Sequence, residues 1–597
     1  MNSSRYGQLL LSLAALAGCN YFLDLETSQC TRTSDCAALG PTFAGLECRA
    51  GSCVAPLSSV GMNTGTGASG MSGGGTSAVE DTTGGDGSLA AVGGATAATD
   101  AGSAGSAGTN AGEGCTSNAD CVATHLGEPY ACLTPGKSCV PLKTEACPLV
   151  FGDYQHENAV YFGAFLNVPA AAPLSQMSTL NVRLAVDEFN GSVGGLPGGP
   201  LGKLRPLVAV VCRNDQSLVD AGATHLLDEL GVPAVLSHLP SANNKRFFVD
   251  HALNKQALVI NPGFADNTLT SLSTGGLFWH VIGDIRDVGP AYVPLLARIE
   301  SYLAVSEPLR VAMLVSKRYA EESIANTISP ILRFNGKSVT ENGSNFFSAS
   351  VTALADDPSA DYAPLNASLL AFRPHVVLAL TREEFVSKIL PAVEGGWAAA
   401  AAGQARPFYV LPNSLSANLD LLNYLGLDSG SNTSEGKRKR VVGVAPASAE
   451  DMTLYNQFLV RFRTANPYFE NPGGFENFYD AVYLLANAMF AAGSVPKLTG
   501  PDIARGMQRV IAGNVTIDVG PMTIADGFSA LATGGNIRLN GTMGPADFDP
   551  GVGSRRSNGS IYCIQRSGPQ LSFAYDVLRY DQSGRGLSGT FPCFSGF

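Results

Sequence analysis

The sequence predicts an α/β protein of two lobes with parallel sheets, preceded by small disulfide-rich modules and a disordered linker. Three observations carry this. From about residue 158 onward, short apolar runs alternate with amphipathic stretches of helical length. The alternation restarts at Arg310, dividing it into two series. Upstream, two clusters of four cysteines flank a long segment dominated by Gly, Ser, Thr and Ala.

The chain opens MNSSRYGQLLLSLAALAGC, with Arg5 ahead of an apolar run from Leu9 to Ala17. That run is too short to span a bilayer and has the form of a secretory signal. Its end, Leu16-Ala17-Gly18-Cys19, resembles the lipobox of bacterial lipoproteins. The resemblance implies cleavage after residue 18, a diacylglycerol thioether on Cys19, and a lipid anchor at the periplasmic face or the outer membrane.

The 597 residues contain thirteen cysteines, and the loss of Cys19 to lipid leaves an even set. Cys30, Cys36, Cys48 and Cys53 form one cluster (19–57), and Cys115, Cys121, Cys132 and Cys139 form a second (114–146). An even set in an exported chain reads as disulfides. Zinc is disfavoured, because neither cluster has paired C-x2-C knuckles. Bridges are expected within each cluster, with Cys147–Cys212 and Cys563–Cys593 as the remaining pairs. CTRTSDC and CTSNADC open the two clusters alike, as two copies of one stapled unit would.

Segment 58–113 has too few large apolar residues to offset the entropy of ordering. As a flexible coil it has a root-mean-square span of about 40 Å. It spells GxGxxG from Gly65 to Gly70 and GxSxG from Gly70 to Gly74. Neither follows a strand or opens a helix, so both are products of composition.

In the 147–597 region, Ala159–Asn167 reads as a strand and Ser175–Asn190 as a helix burying Met177, Leu180, Val182, Leu184, Val186 and Phe189. Strands follow at 207–212, 233–236 and 257–261, with a helix over 220–230. The second series has strand 310–316, helix 320–335, strand 375–380, helix 383–394 and strand 407–411. Such repetition implies parallel sheets. Trp279 and Trp397 read as core, and the basic run Lys437–Arg440 as a solvated lead into the strand at Val441.

These residues resemble the type I periplasmic binding proteins, in particular the Leu/Ile/Val-binding group. The resemblance rests on Leu184–Asn190, Leu230–Val235, Ser237–Ser241, Ile260–Gly263, Phe478–Val482 and Asn540–Asp549, in that order. It implies two α/β lobes joined by three hinge crossovers, of which Asn540–Asp549 is one, and a ligand held in the cleft. It places Ser241, Phe264 and Asp266 on the first-lobe wall, and Tyr319 and Asn413 on the second. Two positions depart from the family pattern. Asp266 repels a carboxylate where the family has a hydroxyl, and Asn413 removes an acid that pairs an α-ammonium. Ser241 and Asp266 also suit helix caps.

The net charge of −12 argues against nucleic-acid partners. The seven histidines are scattered and no catalytic motif stands in a structural context, although His238 lies close to Ser241. The expectation is therefore no enzyme, no cofactor and no metal. The sequence reads as a lipid-anchored binder of a small polar solute, an amino acid or derivative among them, serving an ABC permease or a sensor. The rival is an interaction lipoprotein with a degenerate cleft and partner-binding cysteine modules.

Overall fold

The structure is a computed structural model. It describes residues 114–597 apart from breaks at 134–135, 169–175, 199–202, 264–265, 429–431, 470–473, 494–496 and 583, and two short strands upstream. Cys19, Phe264 and the linker lie outside the described residues. The chain divides into two units, 1–105 and 106–597. In the first, Glu47–Arg49 and Ser52–Val54 form an antiparallel hairpin with Cys48 opposite Cys53.

The second unit opens with the second cysteine module. Ser117 caps helix α1 (Asn118–Thr124) by accepting from the Asp120 amide, and β1 (Tyr130–Leu133) pairs with β2 (Ser138–Pro141). Disulfides Cys115–Cys132 and Cys121–Cys139 staple helix to hairpin, both within the cluster. The module packs on the lobe that follows. Asn118 donates to the His156 carbonyl and Tyr161 hydroxyl, and Ala131, Leu142 and Ala146 share a core with Phe165, Val210 and Leu226. The expected Cys147–Cys212 disulfide fastens its exit to a core strand.

The first lobe runs β3 (Leu149–Phe151), β4 (Val160–Leu166), α2 (Met177–Val193), β5 (Leu207–Arg213), β6 (Ala234–Ser237), α3 (Ser241–Arg246), β7 (Leu258–Asn261), α4 (Asn267–Thr270) and β8 (Phe278–His280). Strands β4 to β8 are parallel in the order β5-β4-β6-β7-β8, with β3 antiparallel at the edge. Their β-branched runs are buried on both faces, as parallel strands under helices require. On α2, Met177, Val182, Leu184, Val186 and Phe189 are buried and Leu180 partly so, matching the predicted stripe.

The second lobe repeats the scheme. Helix α5 (Tyr292–Leu303) leads to β9 (Val311–Ser316), α6 (Tyr319–Ile328), β10 (Phe346–Val351), β11 (Val376–Leu380), α7 (Leu390–Ala400), β12 (Phe408–Leu411) and β13 (Val441–Pro446). The parallel order is β10-β9-β11-β12-β13. The chain then returns to the first lobe as α8 (Thr453–Ala465), α9 (Glu476–Ala491) and α10 (Gly500–Ile511). Short strands β14 (Phe548–Asp549) and β15 (Ser554–Arg555) extend the first sheet, where Ser554 pairs with His280. A third crossing leads to β16 (Gly559–Ser567), β17 (Gln570–Asp581) and β18 (Gly586–Ser588), antiparallel beside β13. The Cys563–Cys593 disulfide closes this hairpin, as expected. Trp279 and Trp397 are buried.

The parallel cores are as expected, and antiparallel strands flank each of them. Three expectations need correction. Helix α6 stops at Ile328, since Pro330 breaks it and Asn335, with φ 52°, turns a small hairpin. Asn540–Asp549 precedes the third crossing, which follows β15. Half of the basic run, Lys437 and Arg438, is buried, with Lys437 only 2% exposed. Lys437 donates to the carbonyls of Tyr424 and Leu427, which end the preceding helix. The Tyr424 carbonyl also accepts from the Leu427 amide at 3.3 Å, and carbonyls at a helix C-terminus attract a cation. Arg438 donates to the carbonyls of Ile564 and Cys593.

Candidate functional site

In both lobes the second strand lies outside the first, so the order reverses there. Loops at the carboxyl ends of strands beside such a reversal form the usual ligand crevice. Four of the five candidate residues can be placed there. Ser241 opens α3 just past β6 and is half-buried. Asp266 is 1% exposed and caps α4, one oxygen accepting from the amides of Thr268 and Leu269 at 2.8 and 3.1 Å. Tyr319 opens α6 and is 47% exposed. Asn413 follows β12, exposed, and accepts from the Ser416 hydroxyl at 3.2 Å.

The lobes meet at this level. Helix α6 packs on both α3 and α4, which brings the elements bearing Ser241, Asp266 and Tyr319 together. The Asn267 amide donates to Ser323 Oγ at 3.3 Å, and its side chain to Thr327 Oγ1 at 3.2 Å. Asn413 stands apart on the second-lobe wall. Its neighbour Ser414 donates to Glu321 of α6 at 3.3 Å.

Asp266 and several further residues near the strand ends share one property: a buried polar atom without a hydrogen-bond partner in the protein. In the first lobe these are His238 Nδ1, Asp266 Oδ2, His280 Nε2, Glu476 Oε2 and Asn477 Oδ1. In the second they are Ser316 Oγ, Thr381 Oγ1 and Glu384 Oε2. All lie at or just past the carboxyl ends of core strands, or in the first turn of α9. Burial lowers the His238 imidazole to about 4 and that of His280 to about 3. Burial, with the charge of Asp480 adding to it, raises the Glu476 carboxyl to about 7. Single polar residues at strand ends carry little signal in a sequence; the run Phe475-Glu476-Asn477-Phe478 ahead of Tyr479-Asp480 was the best available clue. Tyr479 and Asp480 themselves are structural. Tyr479 donates to Glu188, and Asp480 accepts from the amides of Thr542 and Met543.

His238 and Ser241 share no hydrogen bond, and the seam's cations are engaged: Arg382 with Glu321 at 2.6 Å and Arg318 with Glu383 at 3.3 Å. A separate cavity of about 740 Å3 lies among the crossovers, lined by Ser448, Met543, Arg555, Asn558 and Arg579 and by none of the candidate residues. The sulfurs of Cys115, Cys121 and Cys132 lie close together. All three are in disulfides, which leaves no thiolate for a metal.

Two lobes with the same strand order, three crossovers and a seam at the strand carboxyl ends define the type I periplasmic-binding fold. No family model matches the sequence, and no curated protein matches it. Solved structures similar to the chain are solute-binding proteins of ABC transporters. One is the branched-chain amino acid binding protein LivJ of Streptococcus pneumoniae in complex with isoleucine, at 14% identity over 70% of this chain and 99% of that one, TM-score 0.49. Another is the leucine-binding protein LivK of Thermotoga maritima, at 12% identity over 70% and 99%, TM-score 0.47. A third is a solute-binding protein of Rhodopseudomonas palustris in complex with 3,4-dihydroxybenzoic acid, at 12% identity over 73% and 99%, TM-score 0.47.

Proposed function

We propose that the chain is a lipid-anchored extracytoplasmic solute-binding protein that captures a small polar solute between its lobes for an ABC importer or a sensor. The observation that carries this reading is that eight of the nineteen unpartnered buried polar atoms among the described residues lie at or just past strand ends or in the first turn of α9, on both lobes. Native proteins satisfy nearly all buried polar groups, so a concentration of exceptions marks a place where another molecule completes the bonding. Hinge opening exposes these groups, and closure buries the solute among them. In this reading Ser241, Asp266, Tyr319 and Asn413 contact the solute, Phe264 joins them as the family resemblance implies, and Cys19 carries the anchor.

A second reading has an observation in its favour. Asn267 bonds directly to Ser323 and Thr327 across the seam, so the lobes hold each other without a solute. An interaction lipoprotein with a degenerate cleft would look the same there. A thermal-shift screen of the purified chain against amino acids, amines, aromatic acids and sugars separates the two. Saturable stabilisation by one class supports capture, and inertness toward every class in a folded sample overturns it.

A further inference from the structure

The atoms left without partners along the seam are not chemically neutral. Its three ionisable side-chain oxygens without partners, Asp266 Oδ2, Glu384 Oε2 and Glu476 Oε2, are all carboxyl oxygens. The guanidinium groups that could answer them, Arg318 and Arg382, are paired with Glu383 and Glu321.

Glu476 differs from the other two acids. Asp266 already holds the Thr268 and Leu269 amides, and Glu384 holds the Arg382 amide at 3.1 Å. Glu476 holds no other residue, and Asn477 beside it adds a second free acceptor while its amide nitrogen donates to the Pro262 carbonyl. Aromatic groups surround the pair. Phe475 and Phe478 lie 5.6 Å apart, with the His238 ring edge-on to Phe478 at 4.9 Å. Tyr455 of α8 and Tyr575 of β17 both lie within electrostatic reach of the Glu476 carboxyl. Tyr575 belongs to the second lobe and donates to the Ser416 carbonyl in the turn that carries Asn413. Buried acceptors with aromatic rings nearby are the surroundings an organic cation needs. A carboxylate placed there would meet like charge at low dielectric.

We propose that the solute of the cleft is a small organic cation, an amine or guanidine, whose charged group docks on Glu476 and Asn477 against Tyr575. This rests on the solute-capture reading and narrows it to a class. The test is calorimetric titration of the full chain with agmatine and putrescine, with leucine, benzoate and glucose as zwitterionic, anionic and neutral comparisons. Saturable binding of an amine or guanidine is expected, weakened roughly thirtyfold by Glu476→Gln and measurably by Tyr575→Leu. Tyr575 is half-exposed, so its substitution keeps the test open should the Glu476 variant fail to fold. Binding of leucine, benzoate or glucose with the amines inert overturns the cation and leaves solute capture standing. Amine binding unaffected by both substitutions overturns the role of Glu476 and Tyr575. A folded chain that binds none of the five overturns both readings.

Discussion

Asn267 of the first lobe donates its side-chain amide to Thr327 Oγ1 of the second at 3.2 Å, and its backbone amide to Ser323 Oγ at 3.3 Å. Two lobes are latched by one residue, on a short helix whose cap is Asp266. Removing the side chain in Asn267→Ala costs about 1 kcal/mol of the closed arrangement. The expected result is a larger radius of gyration by small-angle scattering and weaker solute binding, with the melting temperature of each lobe little changed.

Gly283 lies in the first crossover at φ +124°, and a β-carbon there would run into the Ser557 hydroxyl of the third crossover. Both strain and contact oppose a side chain. Gly283→Ala is expected to destabilise the chain by roughly 1–3 kcal/mol, read as a lower urea midpoint. Loss of solute affinity should exceed that of a core substitution with the same midpoint, because the crossovers set the lobe angle.

Glu394 is 2% exposed and accepts from Arg440 at 2.7 and 2.9 Å, from the Tyr409 hydroxyl at 2.6 Å and from Asn432 at 2.6 Å. Truncation to Ala strands Arg440 in the second lobe and should cost about 3–5 kcal/mol in denaturant melts. The double variant with Arg440→Met should recover part of that loss.

Acid should weaken the first lobe. His238 and His280 are held neutral, at about 4 and about 3 against an ordinary 6.5. The unfolded chain therefore binds more protons in that interval. Their contribution is full above pH 6.5 and is lost as pH falls toward the folded values. Glu476 runs the other way, at about 7 against 4.5. Its contribution is present below pH 4.5 and is lost as pH rises through 7. Thermal melts from pH 4 to 8 should show both slopes, with Glu476→Gln removing the alkaline one and His280→Asn reducing the acid one.

Much of the fold was legible because parallel strands and their helices write two periodicities that a sequence displays directly. Strand β5 and helix α2 are plain in Leu207–Cys212 and in the Met177–Phe189 stripe. Edge strands such as β3 and β10 were not, since β3 is only three residues long, β10 mixes Ser and Ala into its run, and both are largely half-exposed. Lys437 misled because burial of a cation depends on carbonyls supplied by another segment, here Tyr424 and Leu427. The candidate site was legible only as loops following strands. Ser241 could be named because it falls in a family-like stretch, and Asp266 because it closely follows another. Glu476 could not be singled out, since nothing local distinguishes an unpartnered glutamate from a solvated one.

Among the described residues, the second cysteine module is riveted to the first lobe, through Asn118, a shared core and the Cys147–Cys212 bond. A pull from the N-terminal side would therefore be taken up first by the first lobe, ahead of the crossovers.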